Sequence, residues 1–200
     1  MPEPAAAPRT RFHHGDLHAQ ALAAARELVA RSGVDELVLR EVASTAGVNH
    51  RALYRHFPDK RALILQLAAQ ELDTLVRAMD VALACAHAAN GPRVMMEVYV
   101  GYALEQPHLY EMVFSLPLRD DVDQETEVGQ EVRKLIRLAA RVFAREGDTP
   151  TITRDRVVRA WAAAHGLALL MRRGALRAGD RRATERYIVD ASLLAAGESS

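Results

Sequence analysis

The chain has 200 residues, half of them apolar, with 26 basic and 26 acidic side chains and no formal net charge. That balance excludes wholesale disorder and leaves room for one or two domains with a proper core. A single cysteine, Cys85, excludes an internal disulfide framework and any cysteine-rich metal cluster.

The opening MPEPAAAPRTRF lacks the apolar run of a signal peptide, and no stretch of about 18 apolar residues follows. The chain therefore reads as soluble and cytoplasmic, with no membrane partner. All basic residues except Lys60 and Lys134 are arginine, and alanine recurs in runs such as Ala23–Ala25 and Ala162–Ala164. Alanine, arginine, leucine and glutamate favour helix, and no two-residue alternation marks a strand. The expected fold class is all-α, with about nine helices.

Residues 1–12 carry three prolines with Arg9 and Arg11 and read as a flexible basic arm. Gly15-Asp16 opens a first helix whose Leu17, Ala21, Leu22, Ala25, Leu28 and Val29 share one face, and Ser32-Gly33 stops it. A short helix over Leu39–Ala46 stops at Gly47. Asn49 caps a second over His50–Phe57, and Pro58 breaks that one. Asp59 then caps a long helix from Lys60 towards Cys85. Further helices are expected at about 92–105, 107–116 (opened by Pro107), 124–146, 153–173 and 180–196. These divide into a 13–60 helical domain and a larger 61–200 bundle that share the long helix.

The informative stretch is VASTAGVNHRALYRHFPDKRAL, Val42 to Leu63. Two short helices joined through a glycine fit helix-turn-helix geometry, in which the second helix enters the major groove of DNA. Asn49, His50, Arg51, Tyr54 and Arg55 point outward and offer groups that reach base edges or phosphates, while Leu53 and Phe57 point inward. Lys60 combines a cation with the free N–H groups of a helix start, which suits phosphate. Residues 49–61 hold Arg51, Arg55, Lys60 and Arg61 against Asp59 alone, a small basic patch inside a neutral chain.

With its glycine turn, Leu-Tyr-x-His-Phe and following lysine (Gly47, Leu53, Tyr54, His56, Phe57, Lys60), the stretch resembles the TetR/AcrR family of bacterial regulators. The resemblance runs from about His14 to Leu67. It implies an N-terminal three-helix DNA-binding domain, a helical effector-binding and dimerisation domain, and a homodimer on a near-palindromic operator. Carried over, it implies phosphate contacts from Tyr54 and Lys60, with Asn49, His50, Arg51 and Ala52 facing the groove and His56 in the same motif. His13–Leu17, with Trp161, His165 and Gly166 on a penultimate helix, resembles the branch with a Trp-His-Gly C-terminal domain. One departure stands out: where the brace helix usually has a threonine or serine cap, this chain has Val38-Leu39 before Arg40. Arg40 is the candidate replacement for the lost hydroxyl contact.

His13, His14, Asp16 and His18 satisfy only the spacing of a metal pair, so no metal or other cofactor is expected. The acidic run Arg119–Glu127 lacks the glycine and terminal glutamate of a calcium loop and reads as a solvated loop before a helix. Trp161 and His165, with Met95, Tyr99, Tyr102, Met112 and Phe114, form a candidate pocket for a largely apolar effector. Val157, Val158, Tyr187, Ile188, Ala191 and Leu194 form a candidate dimer surface, as the resemblance implies.

The reading is thus a ligand-released repressor. A regulator without an effector, or an activator, is the alternative. An enzyme on a helical bundle is the remote one: no phosphate loop or nucleophile–base spacing appears, and Cys85 lies in an alanine-rich stretch that would leave it inert.

Overall fold

The computed structural model describes residues 14–116, 126–176 and 179–198. Among them the chain forms nine α-helices and no strand: α1 (His14–Ser32), α2 (Leu39–Thr45), α3 (His50–His56), α4 (Lys60–Cys85), α5 (Gly91–Glu105), α6 (Pro107–Phe114), α7 (Glu127–Phe143), α8 (Pro150–Arg172) and α9 (Arg181–Ala196). The all-α expectation holds. The basic arm 1–12, His13 and the acidic residues 119–125 lie outside the described residues.

Helix starts follow local chemistry. Asn49 accepts from the Arg51 N–H at 2.9 Å, Asp59 from Ala62 at 2.7 Å and Asp180 from Ala183 at 2.8 Å. Thr126 accepts from Gly129 at 3.2 Å and opens α7.

The expected 124–146 helix ends earlier, at Phe143, and the expected 153–173 helix begins earlier, at Pro150. Asp148 is the reason. Its carboxylate accepts from the Arg145 N–H at 2.9 Å and from the Arg156 guanidinium, which folds residues 144–149 into a tight connection. Thr149 then accepts from Ile152 N–H at 3.3 Å, and Pro150 takes the first turn, where its missing donor costs nothing.

The chain divides into two compact units, Met1–Leu63 and Ile64–Ser200, so α4 begins in the first and continues in the second. In the first unit, α1, α2 and α3 enclose Ala21, Ala25, Val29, Val42, Leu53 and Phe57, all fully buried. Each large side chain there contributes about 1.5–3 kcal/mol by leaving water. In the second, α5, α8 and α9 bury Met95, Val100, Ala164, Ile188 and Leu193 around Met79 of α4.

Two sequence expectations fail here. Ile188, offered as a dimer residue, is wholly inside this unit's core. Cys85 is exposed at the end of α4 and not embedded among the alanines around it; its helix turn faces solvent at that point.

Candidate nucleic-acid interface and ligand cavity

The turn between α2 and α3 is built on Gly47, whose φ of +65° lies in the left-handed region that favours glycine. Its N–H bonds the Ser44 carbonyl at 3.1 Å, and the Val48 N–H bonds Ala43 at 2.9 Å. This double closure satisfies the last carbonyls of α2 and aims α3 away from it.

The sequence places an apolar residue at the start of α2, and the structure shows the consequence. Val38 has the extended backbone of a cap residue (φ −124°, ψ 128°) but gives no side-chain cap bond and is more than half exposed.

On α3, Arg51, Tyr54 and Arg55 are exposed with His50, and Arg40 is exposed on α2. His50 and Tyr54 pack edge to face at 4.8 Å and present one combined surface. Asn49 is exposed, and its side-chain oxygen is taken by the cap bond to Arg51. Ala52 is half-buried. His56 differs from the others: it is half-buried, with its ring 6.1 Å from His18 of α1, while His18 itself stacks on Phe57 at 5.0 Å. The imidazole that the motif suggested for DNA thus packs between helices. Lys60 donates one of its three N–H bonds to the Asp35 carbonyl at 2.9 Å, which ties the start of α4 to the segment before α2.

The second unit holds a cavity of about 680 Å³, within the range of drug-sized ligand sites. Four of the seven candidate pocket residues line it: Met95, Tyr99, Phe114 and Trp161. The other three do not. Met112 is fully buried in the core, the Tyr102 hydroxyl donates to Glu71 at 3.2 Å, and His165 lies behind Tyr110. Leu72 and Met79 of α4 and a whole face of α7, including Leu135, Ile136 and Phe143, complete the wall and were not anticipated. The three- and four-residue spacing of Val132, Leu135, Ile136, Ala139 and Phe143 was the available signal. Val157 and Val158, offered as dimer residues, also line the cavity. Among the described residues no group of three or more His, Cys, Asp or Glu is placed to hold a metal.

One end of the cavity adjoins a hydrogen-bonded chain. Trp161 Nε1–H donates to the Tyr99 hydroxyl at 2.8 Å, Tyr99 and Tyr110 hydroxyls are 2.9 Å apart, and Tyr110 is 2.6 Å from His165 Nδ1. Indole only donates, so the bond directions follow. With the His165 tautomer that leaves Nδ1 without a proton, Tyr99 receives from Trp161 and gives to Tyr110, and Tyr110 gives to His165 Nδ1. Any other order leaves a buried hydroxyl hydrogen without an acceptor, at about 1–3 kcal/mol. Burial holds the His165 pKa below its ordinary value and pushes Tyr110 up to about 12; Tyr99 is raised well above the usual phenol range, first by burial and then by Tyr110. At the other end Asp148 is held below the usual carboxylate range, chiefly by its bonds to Arg156.

The remaining dimer candidates split. Tyr187 and Leu194 are strongly exposed on α9, alongside Val158 and Leu170 on α8, and Ala191 is half-buried.

The sequence pattern of bacterial regulatory proteins of the tetR family matches residues 21–67, and that of the tetracyclin repressor-like C-terminal domain matches residues 92–191. The chain belongs to the TetR family. As a TetR-family chain it has the family's helix-turn-helix at α2–α3, and no helix among its described residues is long and apolar enough to cross a membrane. No curated protein sequence matches it.

Among solved structures, it is 26% identical to a Rhodococcus sp. RHA1 protein of unknown function, covering 96% of this chain and 100% of that one with a TM-score of 0.75. A TetR transcriptional regulator from Rhodococcus sp. RHA1 shares the fold at 19% identity, 90% and 96% coverage and TM-score 0.65. So does the transcriptional regulator FadR from Bacillus subtilis, solved in complex with stearoyl-CoA, at 16% identity, 91% and 100% coverage and TM-score 0.66.

Proposed function

We propose that this TetR-family regulator is a ligand-released repressor that acts in the cytoplasm as a homodimer on a near-palindromic operator. Asn49, His50, Arg51 and Ala52 at the start of α3 face the groove together with Arg55. Arg40, Tyr54 and Lys60 hold the DNA backbone, Lys60 with its two remaining N–H bonds. Tyr187, Ala191 and Leu194 of α9 form the contact between protomers, with Tyr187 and Leu194 as its exposed apolar side chains.

The observation that carries the reading is α4. One continuous helix starts at Lys60, within the reading unit, and contributes Leu72 and Met79 to the cavity wall. A molecule that fills the cavity shifts that wall, and the shift reaches Lys60 through an unbroken helix. Release requires that the effector favour the DNA-incompetent state, and couplings of about 1–3 kcal/mol are usual. The wall is almost wholly alkyl and aromatic, which supports a largely apolar effector; FadR of Bacillus subtilis, with its stearoyl-CoA, supports the same class.

Fluorescence anisotropy with DNA fragments from upstream of the coding sequence, against random DNA at two salt concentrations, tests the proposal. Tight, salt-sensitive binding to one near-palindrome is expected. Uniformly weak binding to every fragment, and no enrichment in a selection from random DNA, overturns it.

A further inference from the structure

The geometry points to a polar subsite at the Tyr99–Trp161 end of the cavity that takes a hydrogen-bond acceptor on the effector, a carbonyl or similar oxygen, with uptake of a proton at His165. The inference rests on the cavity being an effector site and adds which functional group the effector carries and how pH enters.

The argument begins with the polarity of the relay. In the neutral state, with the His165 ring proton on Nε2, the indole and both hydroxyl protons each have an acceptor, and the last of these acceptors is His165 Nδ1. Protonation turns Nδ1 into a donor. Tyr110 must then receive from His165 and give to Tyr99. Tyr99 now receives from both Tyr110 and Trp161, and its own O–H has lost its acceptor. Tyr99 is 4% exposed, so a replacement acceptor can come only from the cavity side. It does line the cavity, as does Trp161. The open side of Tyr99 is therefore the effector's side, and an acceptor oxygen there completes the reversed relay.

In the neutral state the same oxygen meets a hydroxyl whose hydrogen is already committed to Tyr110. The two protonation states of His165 thus differ by one donor offered to the cavity. Binding of an acceptor and binding of a proton favour each other, and by linkage the effect is equal in both directions.

Among the described residues, the rings packed against His165 are uncharged. Tyr110 faces it from α6, with its ring 5.5 Å away, and Phe114 and Trp161 complete the contact at 6.3 and 5.8 Å. Tyr99 of α5 follows in the relay. Glu71 of α4 stands behind Tyr102, whose ring is 6.3 Å from that of Tyr110. The Arg172–Glu111 ion pair joins α8 to α6 two turns beyond His165. His108 is also on α6, and the substitution below separates its titration from that of His165. Burial already disfavours the imidazolium, so the free protein holds the relay in its closed, neutral order near neutrality.

The test uses two uncharged probes of one shape, 2-nonanone and 2-methyl-1-nonene, in which C=CH₂ replaces C=O. Neither titrates, so any pH dependence belongs to the protein. Trp161 is the only tryptophan of the chain, and its fluorescence reports occupancy directly. Affinities are measured for the full chain from about pH 8 to about pH 5.5, across the range where histidine titrates.

The expected result is that the preference for the ketone over the hydrocarbon grows about fivefold or more on acidification, the lower end of ordinary linkage. It is flat in His165→Asn, whose amide oxygen keeps an acceptor for Tyr110 but takes up no proton, and it is absent in Tyr99→Phe. The imidazole signals of the unsubstituted protein give a second readout: the His165 titration midpoint rises with the ketone and not with the hydrocarbon. Binding of both probes with a pH-independent ratio overturns the subsite and leaves the effector cavity standing. Failure of both probes to bind at any pH overturns the cavity reading and the subsite with it.

Discussion

Replacing Val38 by threonine should stabilise the first unit. Val38 already has cap geometry, and its carbonyl accepts from Glu41 and Val42 at 3.0 and 3.1 Å, so the helix is in place and only the side-chain acceptor is missing. A hydroxyl at this position accepts from the N–H of Arg40 or Glu41, a bond worth about 1 kcal/mol at helix starts. Glu41 stands three residues on, where its carboxylate can return a bond to the residue-38 N–H, at the expense of its exposed 3.3 Å pair with Arg31.

Val38 as a whole is 55% exposed, so the burial lost with one methyl is about 0.4 kcal/mol, and the net gain is about 0.6 kcal/mol. Urea unfolding followed by circular dichroism measures the gain. Hydrogen exchange at the α2 amides gives the local value, about threefold slower for that free energy. Val38→Ala serves as the reference for side-chain loss without a new acceptor. If Val38→Thr is no more stable than the parent chain and its α2 amides exchange at the parent rate, the uncapped start of α2 is not the weakness described here.

Arg51→Ala should weaken binding to the operator more than to random DNA; equal losses by anisotropy would remove its base-reading role. Gly47→Ala should cost about 1–2 kcal/mol through the left-handed backbone alone, since nothing lies within 4 Å of the added Cβ; a thermal melt that does not move contradicts this. Because the Asp148 carboxyl is held below its ordinary value, its contribution is complete above about pH 4 and is lost as pH falls through the lower, folded-state value. Arg156→Met should flatten that acid limb of the stability curve, and an unchanged slope in urea titrations below about pH 4 would contradict the pairing. Leu194→Arg should shift the chain from dimer to monomer in sedimentation with its helical circular dichroism intact, and an unchanged sedimentation coefficient would exclude this part of α9 from the interface.

Helix-turn-helix and caps are legible in the sequence because their causes are local. Asn49, Asp59 and Asp180 act on N–H groups two or three residues away, and Gly47 acts on its own backbone. Pro150 is ambiguous for a physical reason: the same missing N–H that breaks a helix interior is free of cost in a first turn. What settled it was Thr149 beside it and Arg156 drawing in Asp148.

Ile188 and Tyr187 are neighbours of similar apolar weight, yet one is core and the other surface. That choice depends on where α5 and α8 lie, which no spacing within α9 reveals. Tyr99 and Phe114 line the cavity and His165 does not, a difference no local spacing reveals, because the relay joins residues 62, 11 and 55 positions apart. His56 was assigned to DNA by its place in the motif, and its packing against His18 depends on α1, some forty residues earlier.

The single thiol of the chain sits on the surface at the last residue of α4, about 38 Å of helix away from Lys60. The protein therefore carries its own attachment point for a spin label or a fluorophore, with no other cysteine to remove. A rotation of α4 by about 5° about its Lys60 end carries Cys85 through about 3 Å. In a dimer labelled on both copies that displacement enters the distance between labels twice. Pulsed dipolar spectroscopy on the unaltered sequence would thus test, ligand by ligand, the proposed movement of α4, as a ruler that evolution has already fitted.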